Sequence, residues 1–277
     1  MGKGFDTHSD SLVEVVGAAI PAPIFQKYRA TPALHRRNLE DMLSFIRDFL
    51  AKAGLPNTVS MADLEDYFTT CARNKAFGIL FTSPWTTPWL FMVARALQPK
   101  ILVESGTYAG SSLFTLRHAA PLAKMFAFDL DFSPLLTRLQ GVDYRQHDWG
   151  TDSVRAESPT DLCYFNDHIN NCKRVRQCYE RGFKHLVLDD SPDLGEIHKY
   201  RYPAVPTISM IENKKCQDGD AIEWNWFGKD QQMRLRYVFR VADTFGAADL
   251  IAACYPLPSL KRWIGMEDSG AYYVRLK

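Results

Sequence analysis

The chain lacks an excess of charge of either sign: 33 Lys and Arg stand against 32 Asp and Glu, a formal net charge of +1. No global field is present to hold nucleic acid or an anionic membrane, so neither is expected as a partner. It also lacks an uninterrupted apolar run of the roughly 18 residues that a membrane span needs. Its first residues, MGKGFDTHSD, carry no apolar core of a signal peptide. A soluble, cytoplasmic protein is expected. The six cysteines (Cys71, Cys163, Cys172, Cys178, Cys216 and Cys254) include no CxxC pair, which removes the common zinc and redox spacings. A chain of 277 residues can bury enough core to need no disulfide staples. No repeat of 20 to 50 residues is visible, so a solenoid or propeller is excluded.

What is present is an alternation of patterns. Leu39, Met42, Leu43, Ile46, Phe49 and Leu50 share one helical face within residues 37–53, and Gly54 and Pro56 supply the stop. A second helix starts at Ser60 with Asp63 in a capping-box pattern, and a third opens at Thr87 and Pro88 and runs to about Leu97. Residues 1–80 therefore read as a helical cap or substrate lid, followed by a domain over 81–277. After Pro99, short apolar runs alternate with helical segments, which predicts βαβ units and a parallel sheet. Strands are expected at 100–104, 124–128, 142–146, 184–189, 205–212, 248–255 and 271–276. Helices are expected near 111–119, 133–140, 165–181, 193–200 and 229–245. The last two strands have no helix between them, which predicts an antiparallel hairpin.

Ligands of an open parallel sheet sit beyond the carboxyl ends of its strands. There the first strand runs into ESGTYAGSS. Gly106 permits a tight turn, Gly110 permits close approach of backbone to ligand, and Glu104 suits an ammonium rather than a pyrophosphate. The second strand ends in Asp129 and Asp131, where a carboxylate can take ribose hydroxyls. The third ends in Asp148, an acceptor for an adenine amine, beside Trp149, a flat ring for stacking.

With these residues, the sequence resembles the class I S-adenosylmethionine-dependent methyltransferases over roughly residues 80 to 277. The resemblance implies a Rossmann-like α/β fold whose seventh strand inserts antiparallel between the fifth and sixth. It further implies that Glu104 and the turn formed by Gly106, Thr107, Tyr108, Gly110 and Ser111 hold the methionine part of the cofactor, Asp129 the ribose, and Asp148 with Trp149 the adenine.

HLVLDDSPD ends the run at 184–189 with Asp189 and Asp190, and SMIEN ends the run at 205–212 with Glu212 and Asn213. If these are neighbouring strand ends, hard oxygen ligands can converge on a Mg²⁺ that lowers the pKa of a substrate hydroxyl. The arrangement resembles the metal-dependent O-methyltransferases of the catechol, macrolide-sugar and cephalosporin-hydroxylase-like types, with Asp189, Glu212 and Asn213 as the implied ligands. Asp190 can stand in for Asp189, and Glu-Asn departs from the more usual acid pair. His198, in the helix after DDSPD, is a candidate proton acceptor. Two aromatic segments, with Trp85, Trp89 and Phe91 and with Trp224, Trp226 and Phe227, suit an apolar pocket around a small-molecule substrate or an interface in a homo-oligomer.

The expected activity is methyl transfer from S-adenosylmethionine to a hydroxyl of a small molecule such as a sugar or secondary metabolite. An N-methyltransferase needs no metal and stays open. A nucleotide-binding oxidoreductase would show GxGxxG where TYAGSS follows Gly106. A non-catalytic member of the fold is the third alternative.

Overall fold

The computed structural model describes residues 32–72, 85–212, 216–228, 231–265 and 270–277. In chain order it contains α1 (Pro32–Lys52), α2 (Met61–Asp66), α3 (Thr87–Leu97), β1 (Ile101–Ser105), α4 (Ser111–Ala119), β2 (Lys124–Phe128), β3 (Val142–Arg145) and β4 (Leu162–Phe165). There follow α5 (Asn171–Glu180), β5 (His185–Leu188), α6 (Ile208–Glu212), β6 (Ala221–Phe227), β7 (Gln232–Val238), α7 (Ala247–Leu250), β8 (Ile251–Pro256), α8 (Lys261–Ile264) and β9 (Tyr272–Leu276). Seven strands form one Rossmann-like sheet in the order β3-β2-β1-β4-β5-β9-β8. All neighbours are parallel except β9, which runs antiparallel to both β5 and β8. The terminal hairpin and the inserted last strand are therefore found. Among the described residues no helix is long and apolar enough to cross a membrane.

The amphipathic face of α1 is buried at the positions its spacing predicts: Leu39, Met42, Leu43, Ile46, Phe49 and Leu50. Each such side chain contributes about 1.5–3 kcal/mol on burial. Ser60 and Asp63 close the capping box that starts α2, and Pro88 sits in the first turn of α3. These helices share one hydrophobic cluster with α4 and one face of the sheet, so the N-terminal helices are packed onto the sheet domain. The other face of the sheet packs against α5, α6 and the β6–β7 hairpin.

Four expectations are corrected. The helix expected at 165–181 is shorter, because residues 162–165 form the fourth strand. LCYF is buried on both faces, so no period-2 alternation marks it. Asp161 fixes its start: one carboxylate oxygen accepts from the backbone N–H of Lys100 and Ile101, the other from those of Glu157 and Ser158. The run at 184–189 is thus the fifth strand.

The run at 205–212 is not a strand. Pro206 interrupts it, Ser191 Oγ accepts from the N–H of Ile208 at the start of α6, and the place beside β5 is taken by β9. Residues 133–140 form turns rather than a helix. Residues 229–245 hold β7, paired with β6 from Ala221↔Val238 to Phe227↔Gln232. In QMRLRYV, Met233, Leu235 and Tyr237 alternate with exposed charges and pack one face of the hairpin inward.

Candidate functional site

The sheet order turns outward in both directions from β1 and β4, so the loops after these two strands flank the switch point where such sheets bind ligands. Gly106 joins the two loops. With φ at +88° it adopts a backbone that L side chains avoid, and a Cβ there would lie 2.1 Å from the carbonyl oxygen of Asn166. Gly110, at φ +89°, caps α4 and would place its Cβ 2.6 Å from Leu135 Cδ1. The closeness Gly106 permits is therefore to the protein backbone, and that of Gly110 to a leucine side chain.

Inside this turn two polar atoms have no partner. Glu104 is fully buried. Ser112 Oγ donates to its Oε1, while Oε2 is buried without a hydrogen bond, as is the Oγ1 of Thr107. Burial pushes the Glu104 carboxyl up to about 8, against the hydrogen bond from Ser112 and with the charge of Asp129 adding to the rise. Ser111 opens α4 and is buried; Tyr108 is exposed, at φ +45°.

Asp129 ties the β1 loop to the β2 loop: its Oδ2 accepts from the N–H of Tyr108 at 2.9 Å and its Oδ1 from that of Asp131 at 3.1 Å. Asp131 turns away to Ser133, whose N–H and hydroxyl it accepts, and these hold its pKa below the usual value. Asp148 accepts from Gly150 N–H and from Arg174 Nη2 through the same oxygen, Oδ1. Burial works against its charge, but these two donors outweigh it and its pKa is lowered. Trp149 is a correction. Its ring is fully buried, enclosed by Phe165 and Phe183 and covered by the Arg181 guanidinium at 4.1 Å, so it offers no open face to an adenine.

At the ends of β4 and β5 a second group assembles. Asp189 Oδ2 accepts from Thr86 Oγ1 and Tyr164 Oη, each at 2.9 Å, and its Oδ1 accepts from Asp190 N–H. Burial, then the charge of Asp190, raises its pKa to about 7. Asp190 lies 2.9 Å from His168 Nδ1. Burial pulls the His168 pKa down, but the Asp190 carboxylate outweighs it and the imidazole is held at about 9. Arg174, fully buried on α5, bridges Asp148 at 2.6 Å and Asp167 at 2.7 Å, linking the β3 and β4 ends. Asp167 and His168 were missed by sequence reasoning because β4 was missed. The signal for them was LCYF between Asp161 and Asn166, a short apolar run ending in polar residues.

Of the ligands expected for Mg²⁺, Asp189 and Glu212 do not come together. Glu212 ends α6, exposed and beside Cys254 rather than beside Asp189, Asn213 lies outside the described residues, and the acceptor sites of Asp189 are already engaged. Among the described residues no three His, Cys, Asp or Glu side chains are grouped to hold a metal. His198 lies exposed in a 3₁₀ turn, Leu194–Lys199. Of the aromatic segments, Trp89, Phe91 and Trp224 are buried in the core, while Trp85 and Phe227 are exposed. A groove of about 410 Å³ lies between α1 and the end of β8, lined by Phe45, Phe49, Lys52, Tyr255 and Pro258 among others.

No family model and no curated protein matches the chain. Among solved structures, cofactor-bound Rv0187 from MTB is 17% identical over 64% of this chain and 94% of that one, with a TM-score of 0.41. The O-methyltransferase TomG from Streptomyces achromogenes, involved in tomaymycin synthesis and solved with SAM, is 14% identical over 64% and 95%, with a TM-score of 0.38. CmcI in its N160 form with SAH is 17% identical over 45% and 67%, with a TM-score of 0.35; across three CmcI structures the match spans 61% to 68% of the CmcI chain. The chain is similar to these proteins in fold alone, and values this low carry no inference about reaction, cofactor or substrate.

Proposed function

We propose that the protein is an S-adenosylmethionine-dependent methyltransferase that methylates a hydroxyl of a small molecule. The observation that carries this reading is the buried Glu104 with its unpartnered Oε2, set beside the unpartnered Thr107 hydroxyl at the switch point of the sheet. An unpaired buried acceptor is costly unless a ligand completes it. An α-ammonium does so, and a pyrophosphate does not. The residues present therefore fit the amino-acid end of the cofactor. Glu104 and the Thr107 turn would hold that end, Asp129 the ribose, and Asp148 the adenine amine through Oδ2.

When bound, the cofactor supplies an electrophilic methyl on a sulfonium, whose carbon–sulfur bond breaks with its electron pair going to sulfur as the oxygen–carbon bond forms. The acceptor hydroxyl must lose its proton in that exchange. On this reading Asp190 at the end of β5 would take it, with His168 facing its carboxylate and Asp189 holding its backbone N–H. An oxygen acceptor is favoured over nitrogen by this paired acidic site. No step is routed through a metal, since Asp189 and Glu212 do not converge.

Calorimetry with S-adenosylhomocysteine and NAD, each with Mg²⁺ and with EDTA, tests the reading. Binding of S-adenosylhomocysteine under both conditions is the expected result. Binding of NAD with no response to S-adenosylhomocysteine would transfer the protein to the oxidoreductases.

A further inference from the structure

The segment that leaves β5 returns across the end of β4 and carries a cation, Arg201, that has no counter-ion among the described residues. Arg201 Cζ lies 4.8 Å from the centre of the Tyr202 ring and 5.3 Å from that of Trp226 on β6, so two aromatic rings fix the guanidinium. Its Nε is buried with no hydrogen bond, and among the described residues no carboxylate pairs with it. Nearby, His168 is paired with Asp190 and Arg174 with Asp148 and Asp167, whereas Arg201, next to Tyr202, has no such partner among the described residues. The carbonyl of Tyr202 lies 2.9 Å from His168 Nδ1 and its ring stands edge-on to the imidazole at 6.2 Å.

Ring contacts use the faces of a guanidinium and leave its in-plane N–H donors free for an anion. Because the rings already restrict the side chain, little rotamer entropy remains to be lost when a ligand arrives. Carboxylates and phosphate esters both match the paired donors of such a group. We propose that Arg201 binds the anionic group, a carboxylate or a phosphate ester, of the acceptor molecule. The inference rests on the methyltransferase reading only for the identity of that molecule as acceptor, because anion binding is measurable without the cofactor.

Benzoate and inorganic phosphate are titrated separately, at constant ionic strength, into the wild-type protein and the R201K and R201Q variants. Calorimetry gives the affinity, and the Nε–H resonance of Arg201 in the NMR spectrum reports where the anion sits. One of the two anions should saturate the wild type and move that resonance. Its affinity should fall about tenfold or more in R201Q and less in R201K, as loss of a charge-assisted hydrogen bond requires. The anion preferred distinguishes a carboxylate from a phosphate ester. Thermal stability and S-adenosylhomocysteine affinity should be the same in all three proteins. Undiminished anion affinity in R201Q, or no saturation of the wild type by either anion, overturns the proposal. A wild type that binds the anion through Arg201 but ignores S-adenosylhomocysteine supports the anion site and sinks the cofactor reading, so the two failures are separable.

Discussion

Replacing Glu104 with Gln should stabilise the unliganded protein and at the same time weaken its hold on the cofactor. The carboxyl is fully buried and its pKa is raised by that burial from 4.5 to about 8. A folded-state pKa above the unfolded one contributes stability that is fully present below pH 4.5 and is lost as pH rises through about 8. The loss amounts to about 1.4 kcal/mol per pH unit, about 5 kcal/mol across the window. A Gln amide has nearly the same shape, can still accept from Ser112, and never ionises. Urea denaturation of the two proteins should therefore give nearly equal stability at pH 4.5 and a difference that widens in favour of E104Q up to pH 8. Ligand binding should show the opposite ranking. An incoming ammonium favours the ionised carboxyl, so wild-type affinity for S-adenosylhomocysteine should climb with pH between about 5.5 and 7.5, by at most tenfold per unit. In E104Q that slope should vanish and the affinity should drop by about tenfold to a hundredfold at pH 8. A stability difference that does not change with pH, or an unaltered pH slope for ligand binding in E104Q, refutes the reasoning.

Four further outcomes follow from the same geometry. Gly106→Ala should cost more than about 3 kcal/mol in urea denaturation, because a positive φ and a clash with Asn166 backbone coincide. Gly195→Ala, where an added methyl meets open space, should stay within about 0.5 kcal/mol. Asp129→Ala frees the N–H groups of Tyr108 and Asp131, and should reduce S-adenosylhomocysteine affinity about tenfold while changing stability by only about 1 kcal/mol. The His168 ring protons should titrate in the NMR spectrum near pH 9, and D190N should bring the midpoint down toward 6.5; a midpoint indifferent to D190N would remove the ion pair from the account.

Much of the framework was legible because its signals are local. The face of α1, the Ser60 cap, the start of α3 at Thr87 and Pro88, and the span of α4 each follow from a few neighbouring residues and recur in the structure. Three of the errors turn on how the strands pair. LCYF shows no alternation because helices cover both faces of the sheet. VPTISMIE is apolar enough for a strand, yet β9 occupies the edge it would need, and the chain coils into α6 instead. QMRLRYV carries the period of a strand and takes it only because β6 is there to pair with. Losing β4 also displaced the site: the numbering of strands moved by one, Glu212 was set beside Asp189, and Asp167 and His168 went unread.

What separates the acids at the strand ends is how each negative charge is compensated. Asp129 is met by two backbone N–H groups. Asp148 and Asp167 share Arg174, Asp190 faces His168, and Asp189 is met by Thr86, Tyr164 and the Asp190 N–H. Glu104, fully buried, has an oxygen that no donor reaches and no cation beside it, and it resists ionisation accordingly. A cation brought to the edge gains most where charge is least compensated, since elsewhere it must compete with donors already in place. On the proposed reading a positively charged amino-acid end is selected at β1, while the ends of β4 and β5, where among the described residues the Asp148, Asp167, Asp189 and Asp190 carboxyls face only Arg174 and His168, handle a proton. Arg201, next to the Tyr202 whose carbonyl meets His168, supplies the opposite sign. A ligand pair that carries its cation on one member and its anion on the other satisfies both positions at once.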